Sequence, residues 1–222
     1  MNLLILGYSD FIQRRVIEIL LKRFKKINIA IASKTRFEKN HKNSVKWFND
    51  YSKAINYFKP DIIYVSLPNS AHFSWAKKAL KKNIHVIVDK PITLNSNQLK
   101  ELIKISKKTK KLLAEATIFS FHNQIKKSVN LIGGCKRINQ INANFCIPMP
   151  LKGNIKLSKK FGGGVNNDMG PYAAASFREF YKKFPTKIYV TKDKNKKIVT
   201  KLNVLAKYKH KIFFGHFFFG KE

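Results

Sequence analysis

The sequence predicts an α/β protein: a doubly wound parallel sheet over residues 1–120, then a second α+β domain over 121–222 with a mostly antiparallel open sheet. Three observations predict it. Short apolar runs alternate with amphipathic stretches up to about residue 117, the βα pattern of a sheet buried on both faces. After about residue 120 the texture changes to longer strand-like segments interrupted by one helical stretch. The 222 residues are 44% hydrophobic and 13% aromatic, enough for packed cores, so high charge here does not signal disorder.

Residues 2–6 (NLLIL) form a short apolar strand ending at Gly7. From Asp10 to Phe24, Ile12, Val16, Ile17, Leu20 and Leu21 recur at helical spacing. INIAIA (27–32) is a buried strand, followed by a weak strand at 45–48 and a short helix near 52–58. DIIYVSLP is a β-branched strand closed by Pro68, and residues 71–82 are helical, with Asn83 suited to a left-handed cap. IHVIVD (84–89) stops at Lys90-Pro91, Asn95 with Gln98 resembles a capping box, and LLAEAT (112–117) is a further strand. Beyond the boundary, INANFCI, KIYVT, KIVTKLNVLAKY and KIFFGHFFFG are strands, and 171–184 is helical.

A formal net charge of +33 invites a nucleic-acid reading. Two counts weigh against it. Lys supplies 39 of the 45 basic residues, whereas phosphate and base-edge recognition favours the Arg fork. The excess is also even, with 24 basic and 8 acidic residues in 1–118 and 21 and 4 in 119–222. With 20 Asn and many Ile, the charge reads as A/T-rich codon composition. No specific nucleic acid and no membrane partner are expected. No apolar run approaches the roughly 18 residues of a membrane span. The start lacks a basic n-region, and Cys135 and Cys146 form no C-x-x-C pair, so a reducing, cytoplasmic compartment is expected.

In open α/β sheets ligands bind beyond the carboxyl ends of the strands. The unusual residues of the first half fall there: Gly7-Tyr8-Ser9, Ser33-Lys34-Thr35-Arg36, Leu67-Pro68-Asn69 with His72, and Asp89-Lys90-Pro91. Turn chemistry alone accounts for Asn69 and Ser70, but less well for His72 and Lys90-Pro91. The first turn matches a G-x-G-x-x-G loop only in part, because Ser9 and Ile12 replace the second and third glycines. Ser9 can offer its backbone N–H and hydroxyl to a pyrophosphate, and Ile12 implies looser helix–strand packing. After the second strand no acid occurs until Glu38, which favours a 2′-phosphate and hence NADP over NAD, with Arg36 as the more telling cation and Lys34 the lesser. In the second half, Gly162-Gly163-Gly164 leads to Asp168 and Tyr172, with Pro171 suited to a first helical turn. A capping Asp and a half-buried Tyr are equally good readings of that pair, and no metal-ligand pattern is present.

Three segments carry a resemblance: DIIYVSLPNSAHFSWAKKALKKNIHVIVDKPITLN, EATIFSFHNQ and GGGVNNDMGPYAAASFREF. In order and spacing they resemble the Gfo/Idh/MocA oxidoreductases, nearest the glucose–fructose oxidoreductase and dimeric dihydrodiol dehydrogenase branch. Asp89-Lys90-Pro91 stands where that family usually has Glu-Lys-Pro, and Asp168 and Tyr172 stand at its D-x-x-x-(H/Y) positions. The resemblance implies a Rossmann domain binding NAD(P), a sugar-like substrate, and a second domain whose open sheet often makes a homodimer. It implies catalytic roles for Lys90, Asp168 and Tyr172, with Gly7, Ser9, Ser33, Lys34, Arg36, Leu67, Pro68, Asn69, His72, Asp89 and Lys90 on the cofactor. On this view Lys90 binds the substrate oxygen, Tyr172 carries the proton, Asp168 orients Lys90 or the substrate, and His72 lines the nicotinamide side. Such enzymes run longer, so the second domain is expected to be incomplete, with the aromatic strand at 211–220 lacking later neighbours. A non-catalytic dinucleotide-binding relative and a polyanion-binding protein on the same fold remain alternatives.

Overall fold

Alternation along the first strands places the sheet between two layers of helix. The computed structural model describes residues 1–34 and 45–220, in two units, Met1–Ala116 and Thr117–Glu222. Arg36 lies outside the described residues.

In the first unit β1 (Asn2–Leu6), β2 (Asn28–Ala32), β3 (Val45–Phe48), β4 (Ile62–Val65), β5 (His85–Asp89) and β6 (Leu113–Ala116) form one sheet in the order β3-β2-β1-β4-β5-β6. Every pairing is parallel. Strand side chains alternate between faces, so Leu4, Leu6, Ala30, Ala32, Ile63 and Val65 point to one core. That core is closed by α2 (Tyr51–Phe58), α3 (Asn69–Lys81) and α4 (Ser96–Thr109) through Ile55, Ala76, Leu80 and Leu102. Leu3, Ile5, Ile29 and Ile31 point the other way, onto Ile12 and Ile17 of the first helix. The strand order reverses between β1 and β4, the switch point beyond whose carboxyl edge open α/β sheets take their ligands.

Local signals explain the helix ends. The Asp50 carboxylate accepts the Lys53 N–H at 2.7 Å and starts α2. Asn95 accepts the Gln98 N–H at 3.0 Å, while the Gln98 side chain takes the Leu94 N–H at 3.3 Å, a capping box displaced by one residue. Asn83 follows α3 at φ +59°, as its small polar side chain permits. The first helix departs from the expected α form: residues Ile12–Ile17 are π-wound and only α1 (Glu18–Arg23) is regular. The widening begins at Ile12, which fills the third glycine position and is fully buried.

In the second unit β7 (Gln140–Ile147), β8 (Lys187–Asn195), β9 (Ile198–Lys207) and β10 (Ile212–Phe219) form a sheet in the order β7-β10-β9-β8. The β7–β10 pair is parallel and the other two are antiparallel. The aromatic strand is therefore internal to the sheet, as its mid-sheet character suggests, and both of its neighbours, β7 and β9, precede it in the chain. Phe213, Phe217 and Phe219 point onto α6 (Val165–Asp168) and α7 (Gly170–Ser176), with Val165, Met169 and Phe177. Gly215 lies between two of these rings, where an added Cβ would meet Phe217 at 2.5 Å and Phe213 at 2.7 Å. The edge strand β8 is exposed throughout and carries Lys187, Lys192 and Lys194, a charged edge that discourages further pairing. The sequence reading assigned no element to α5 (Asn123–Leu131), a short helix whose apolar residues are Ile125, Val129 and Leu131. The stretch 171–184 resolves into α7 and a π-wound turn at Phe177–Tyr181.

Candidate active site

In the first unit the predicted site residues gather at the carboxyl edge of the parallel sheet. Gly7 leaves β1 with φ +95°, and a Cβ there would lie 2.1 Å from the Ser66 carbonyl oxygen. The turn thus passes against the end of β4 as closely as a dinucleotide-binding turn requires. Tyr8 is buried edge-on against Trp47, with ring centroids 5.0 Å apart. Ser9 is only partly available to a ligand. Its Oγ takes the Ile12 N–H at 3.3 Å and lies 2.9 Å from Ser66 Oγ.

At the end of β2, Ser33 is buried and donates its N–H to the Phe48 carbonyl at 2.9 Å, extending the β2–β3 pairing by one residue. Lys34 then turns outward, with Nζ 5.3 Å from the centroid of the Tyr51 ring. That ring packs edge-on against Trp75 at 5.1 Å. Burial raises the Tyr51 pKa, with an opposing contribution from the Lys34 backbone.

The Lys90 turn is clamped on each side. Before it, the Asp89 carboxylate accepts Tyr64 Oη at 2.5 Å and Ser66 Oγ at 2.6 Å. After it, the Pro91 carbonyl lies 2.8 Å from His72 Nδ1, and Ile92 donates its N–H to Glu115 at 2.9 Å. The Lys90–Pro91 peptide is cis. His72 also places Nε2 2.7 Å from the Leu67 carbonyl and is fully buried. It joins the turn after β4, where Pro68 precedes α3 and Asn69 begins it, to the turn after β5. This geometry makes His72 a tie between two loops. Tyr64, with its hydroxyl against a carboxylate in a buried strand, titrates far above the ordinary phenol range through burial and the Asp89 charge.

In the second unit the predicted residues lie around the triple glycine. Gly163 carries its N–H to the Ser158 carbonyl at 2.9 Å, and Gly164 to that of Lys156 at 2.8 Å. A Cβ on Gly163 would lie 2.4 Å from the Lys156 carbonyl oxygen. The glycines therefore let residues 155–158 fold tightly onto the start of α6. The consequence is an ion pair, Lys156 Nζ to Asp168 Oδ2 at 2.9 Å. Asp168 ends α6, and Tyr172 lies in the first turn of α7 behind Pro171. Its ring packs edge-on against Phe145 at 5.3 Å and Phe119 at 6.3 Å.

Sequence reasoning missed Lys156, Tyr64, Ser66 and Glu115. One lysine among 39 gives no signal. The glycine triplet was the available clue, since it marks where another backbone must approach. Among the described residues no group of three or more His, Cys, Asp or Glu could hold a metal, and no helix is long and apolar enough to cross a membrane.

A family model for the Gfo/Idh/MocA oxidoreductases, described as an NAD-binding Rossmann fold, matches residues 1–117. The chain belongs to this oxidoreductase family.

Among curated relatives, the dTDP-3,4-didehydro-2,6-dideoxy-alpha-D-glucose 3-reductase of Actinomadura kijaniata is 32% identical over 50% of this chain and 34% of its own length. The enzyme of the same name from Saccharopolyspora spinosa is 26% identical over 79% of this chain and 54% of its own. D-xylose 1-dehydrogenase (NADP(+)) 2 of Haloferax volcanii is 26% identical over 59% of this chain and 41% of its own. This Gfo/Idh/MocA chain thus spans about half or less of the length of the curated relatives it matches. Among solved structures, the 3-ketoreductase KijD10 of A. kijaniata, in a complex with NADP and TDP-benzene, superposes with a TM-score of 0.85 at 22% identity, covering 100% of this chain and 70% of that one. The aldose-aldose oxidoreductase of Caulobacter crescentus gives a TM-score of 0.82 at 16% identity, covering 99% and 71%. Both likenesses bear on the fold, a parallel six-stranded sheet followed by a mixed four-stranded one.

Proposed function

We propose that this chain belongs to an NADP-dependent oxidoreductase that moves a hydride between nicotinamide and a carbinol or carbonyl carbon of a sugar or sugar derivative. The observation that carries the reading is the clamped Lys90 turn. The Lys90 ammonium belongs to a turn at the carboxyl edge of a dinucleotide-type sheet, and the residues on both sides of it are held by hydrogen bonds. NADP(H), when bound, supplies or accepts the hydride.

The residues of this chain do the rest. The Gly7 turn and the Ser9 N–H receive the diphosphate, and Lys34 the 2′-phosphate, with no acid among the described residues at the end of β2. Lys90 binds the reacting oxygen and lowers the cost of negative charge there. Tyr172 gives a proton to a carbonyl or takes one from a hydroxyl. Asp168, paired with Lys156, orients the substrate. The sugar class is supported by the dTDP-sugar 3-reductases and the D-xylose dehydrogenase, and NADP over NAD by that dehydrogenase and by the NADP-bound ketoreductase. The sheet face bearing Asn142, Asn144, Thr191, Phe214 and His216 is assigned to a second copy of the chain, and a cytoplasmic location goes with this chemistry.

The test is an NADPH titration followed through Trp47 and Trp75 emission, then absorbance at 340 nm across aldoses with NADP+ and keto-sugars with NADPH. Lys90→Ala is expected to keep NADPH binding and lose at least 100-fold in turnover, an order-of-magnitude figure for one electrostatic contact to the reacting oxygen. A Lys90→Ala protein that binds NADPH and keeps full turnover overturns the assignment. The reading as a dinucleotide-binding relative without chemistry is favoured by Ser9 and Ile12 in the glycine positions, and predicts binding with no turnover on any sugar.

A further inference from the structure

Four polar side chains form one connected line across the ends of three neighbouring strands: Ser9 after β1, Ser66 after β4, and Asp89 at the end of β5 with Tyr64 of β4 on its other oxygen. Tyr64 and Ser66 are buried. The direction of each bond follows from proton counting. A carboxylate only accepts, so Tyr64 and Ser66 each give their single hydroxyl proton to Asp89. Ser66 then has only lone pairs left for Ser9, so Ser9 donates to Ser66. Ser9 Oγ in turn is left as an acceptor, and it takes the Ile12 N–H. The line has one polarity and ends on one charge. Its two terminal bonds are short and charge-assisted, the strong class of hydrogen bond.

We propose that Tyr64 and Ser66 are positioning residues: they fix the Asp89 carboxylate, and with it the Lys90 turn, and through Ser9 they tie that turn to the diphosphate turn at Gly7. Asp89 acts through its neighbours, since both of its oxygens already hold hydroxyls. A diphosphate that drew the Ser9 proton to itself would leave Ser66 short of a donor, so the two turns respond to dinucleotide together. The proposal rests on the dinucleotide-binding part of the reading above and not on its substrate.

The experiment uses the full chain with Tyr64→Phe, Ser66→Ala, Asp89→Asn and the pair Tyr64→Phe/Asp89→Asn. NADPH and NADH dissociation constants are measured calorimetrically, and backbone amide exchange is followed in a peptide spanning residues 87–93. Tyr64→Phe and Ser66→Ala are expected to weaken both dinucleotides by about tenfold, the usual scale for losing a buried hydroxyl donor to a charged group. The NADPH to NADH ratio is expected to stay within twofold, because the 2′-phosphate lies at another strand end. The pair is expected to cost no more than Asp89→Asn alone, and exchange in 87–93 to quicken in each single variant. Tyr57→Phe, exposed on α2, serves as the control.

A folded Tyr64→Phe protein with parental affinity for both dinucleotides and parental exchange overturns the proposal. So do losses that multiply in the pair. If Tyr64→Phe does not fold, Ser66→Ala decides by the same two readouts. If the parent chain binds neither dinucleotide, the functional reading falls, and exchange in 87–93 still decides whether these hydroxyls hold the turn.

Discussion

Lys156 Nζ lies 2.9 Å from Asp168 Oδ2, and the close approach permitted by Gly163 brings it there. The lysine side chain is 40% exposed and the aspartate side chain 18%, so water screens the pair from one side. Its worth to folding is therefore modest, at most about 1 kcal/mol. The consequence for the proposed chemistry is larger, because the carboxylate proposed to orient the substrate is committed to a cation within its own unit. Lys156→Met is expected to shift the thermal midpoint by less than about 5 °C while lowering turnover about tenfold or more, with Lys156→Arg restoring most of it. Thermal melts and the 340 nm assay, run on both variants, check this.

Gly7 makes the strictest demand on side-chain size in the first unit. Gly7→Ala combines a left-handed backbone with a Cβ 2.1 Å from a carbonyl oxygen. It is expected to cost on the order of 3 kcal/mol in urea unfolding. The rise in melting temperature that NADPH gives the parent should disappear as well. A variant as stable as the parent would show that the turn relaxes away from Ser66.

The Lys34–Tyr51 contact predicts the cofactor preference. Tyr51→Leu removes the ring beneath the ammonium, and is expected to weaken NADPH by about fivefold while leaving NADH unchanged, a scale set by one cation–π contact. Lys34→Met should do at least as much. Because the 2′-phosphate contact is screened by salt, the parental preference is also expected to shrink between low and physiological ionic strength. Titrations of both dinucleotides at two salt concentrations test all three statements.

Tyr208 predicts the alkaline behaviour of the second unit. Its hydroxyl is buried without a hydrogen-bond partner, and its ring lies edge-on to Tyr181 at 4.6 Å. Burial first, and the neighbouring Tyr181 second, push its pKa up to about 12 from the model-peptide 10.0. Below pH 10 both folded and unfolded phenols are neutral, so the group costs nothing differential. As pH rises from about 10 towards 12 the unfolded chain ionises first, and stability falls. Tyr208→Phe is expected to be neutral or stabilising at pH 7 and to flatten part of that alkaline loss, read from melting temperatures between pH 8 and 11.5.

The strands and helices of the first unit were legible because each carries its own period. A parallel sheet buried on both faces writes continuous apolar runs, and Asp50, Asn83 and Asn95 mark helix ends by chemistry that acts within four residues. The helix α5 was passed over although Ile125 and Val129 stand at helical spacing, because nine residues beside the change of texture offer only that one apolar pair and Leu131. Ser9 is read from sequence as offering its backbone N–H and hydroxyl to a pyrophosphate, and folding adds a partner for that hydroxyl, Ser66, which lies 57 residues away in the sequence. His72 was read as lining the nicotinamide side, and its two ring nitrogens are both taken by carbonyls of separate turns.

What the amino-acid sequence determined by itself was the fold class and which residues stand at the strand ends. These follow from local periodicity and turn chemistry, which need no distant partner. What only the tertiary structure decided was who holds whom: Tyr64 and Ser66 on Asp89, Glu115 on Ile92, Lys156 on Asp168, and β7 and β9 on the two sides of the aromatic strand. Each is a pairing of polar groups or strands far apart in the chain, and a hydrogen bond or ion pair forms wherever folding brings a donor to an acceptor. Thirty-nine lysines are interchangeable along a sequence; folding selects the one that meets the carboxylate.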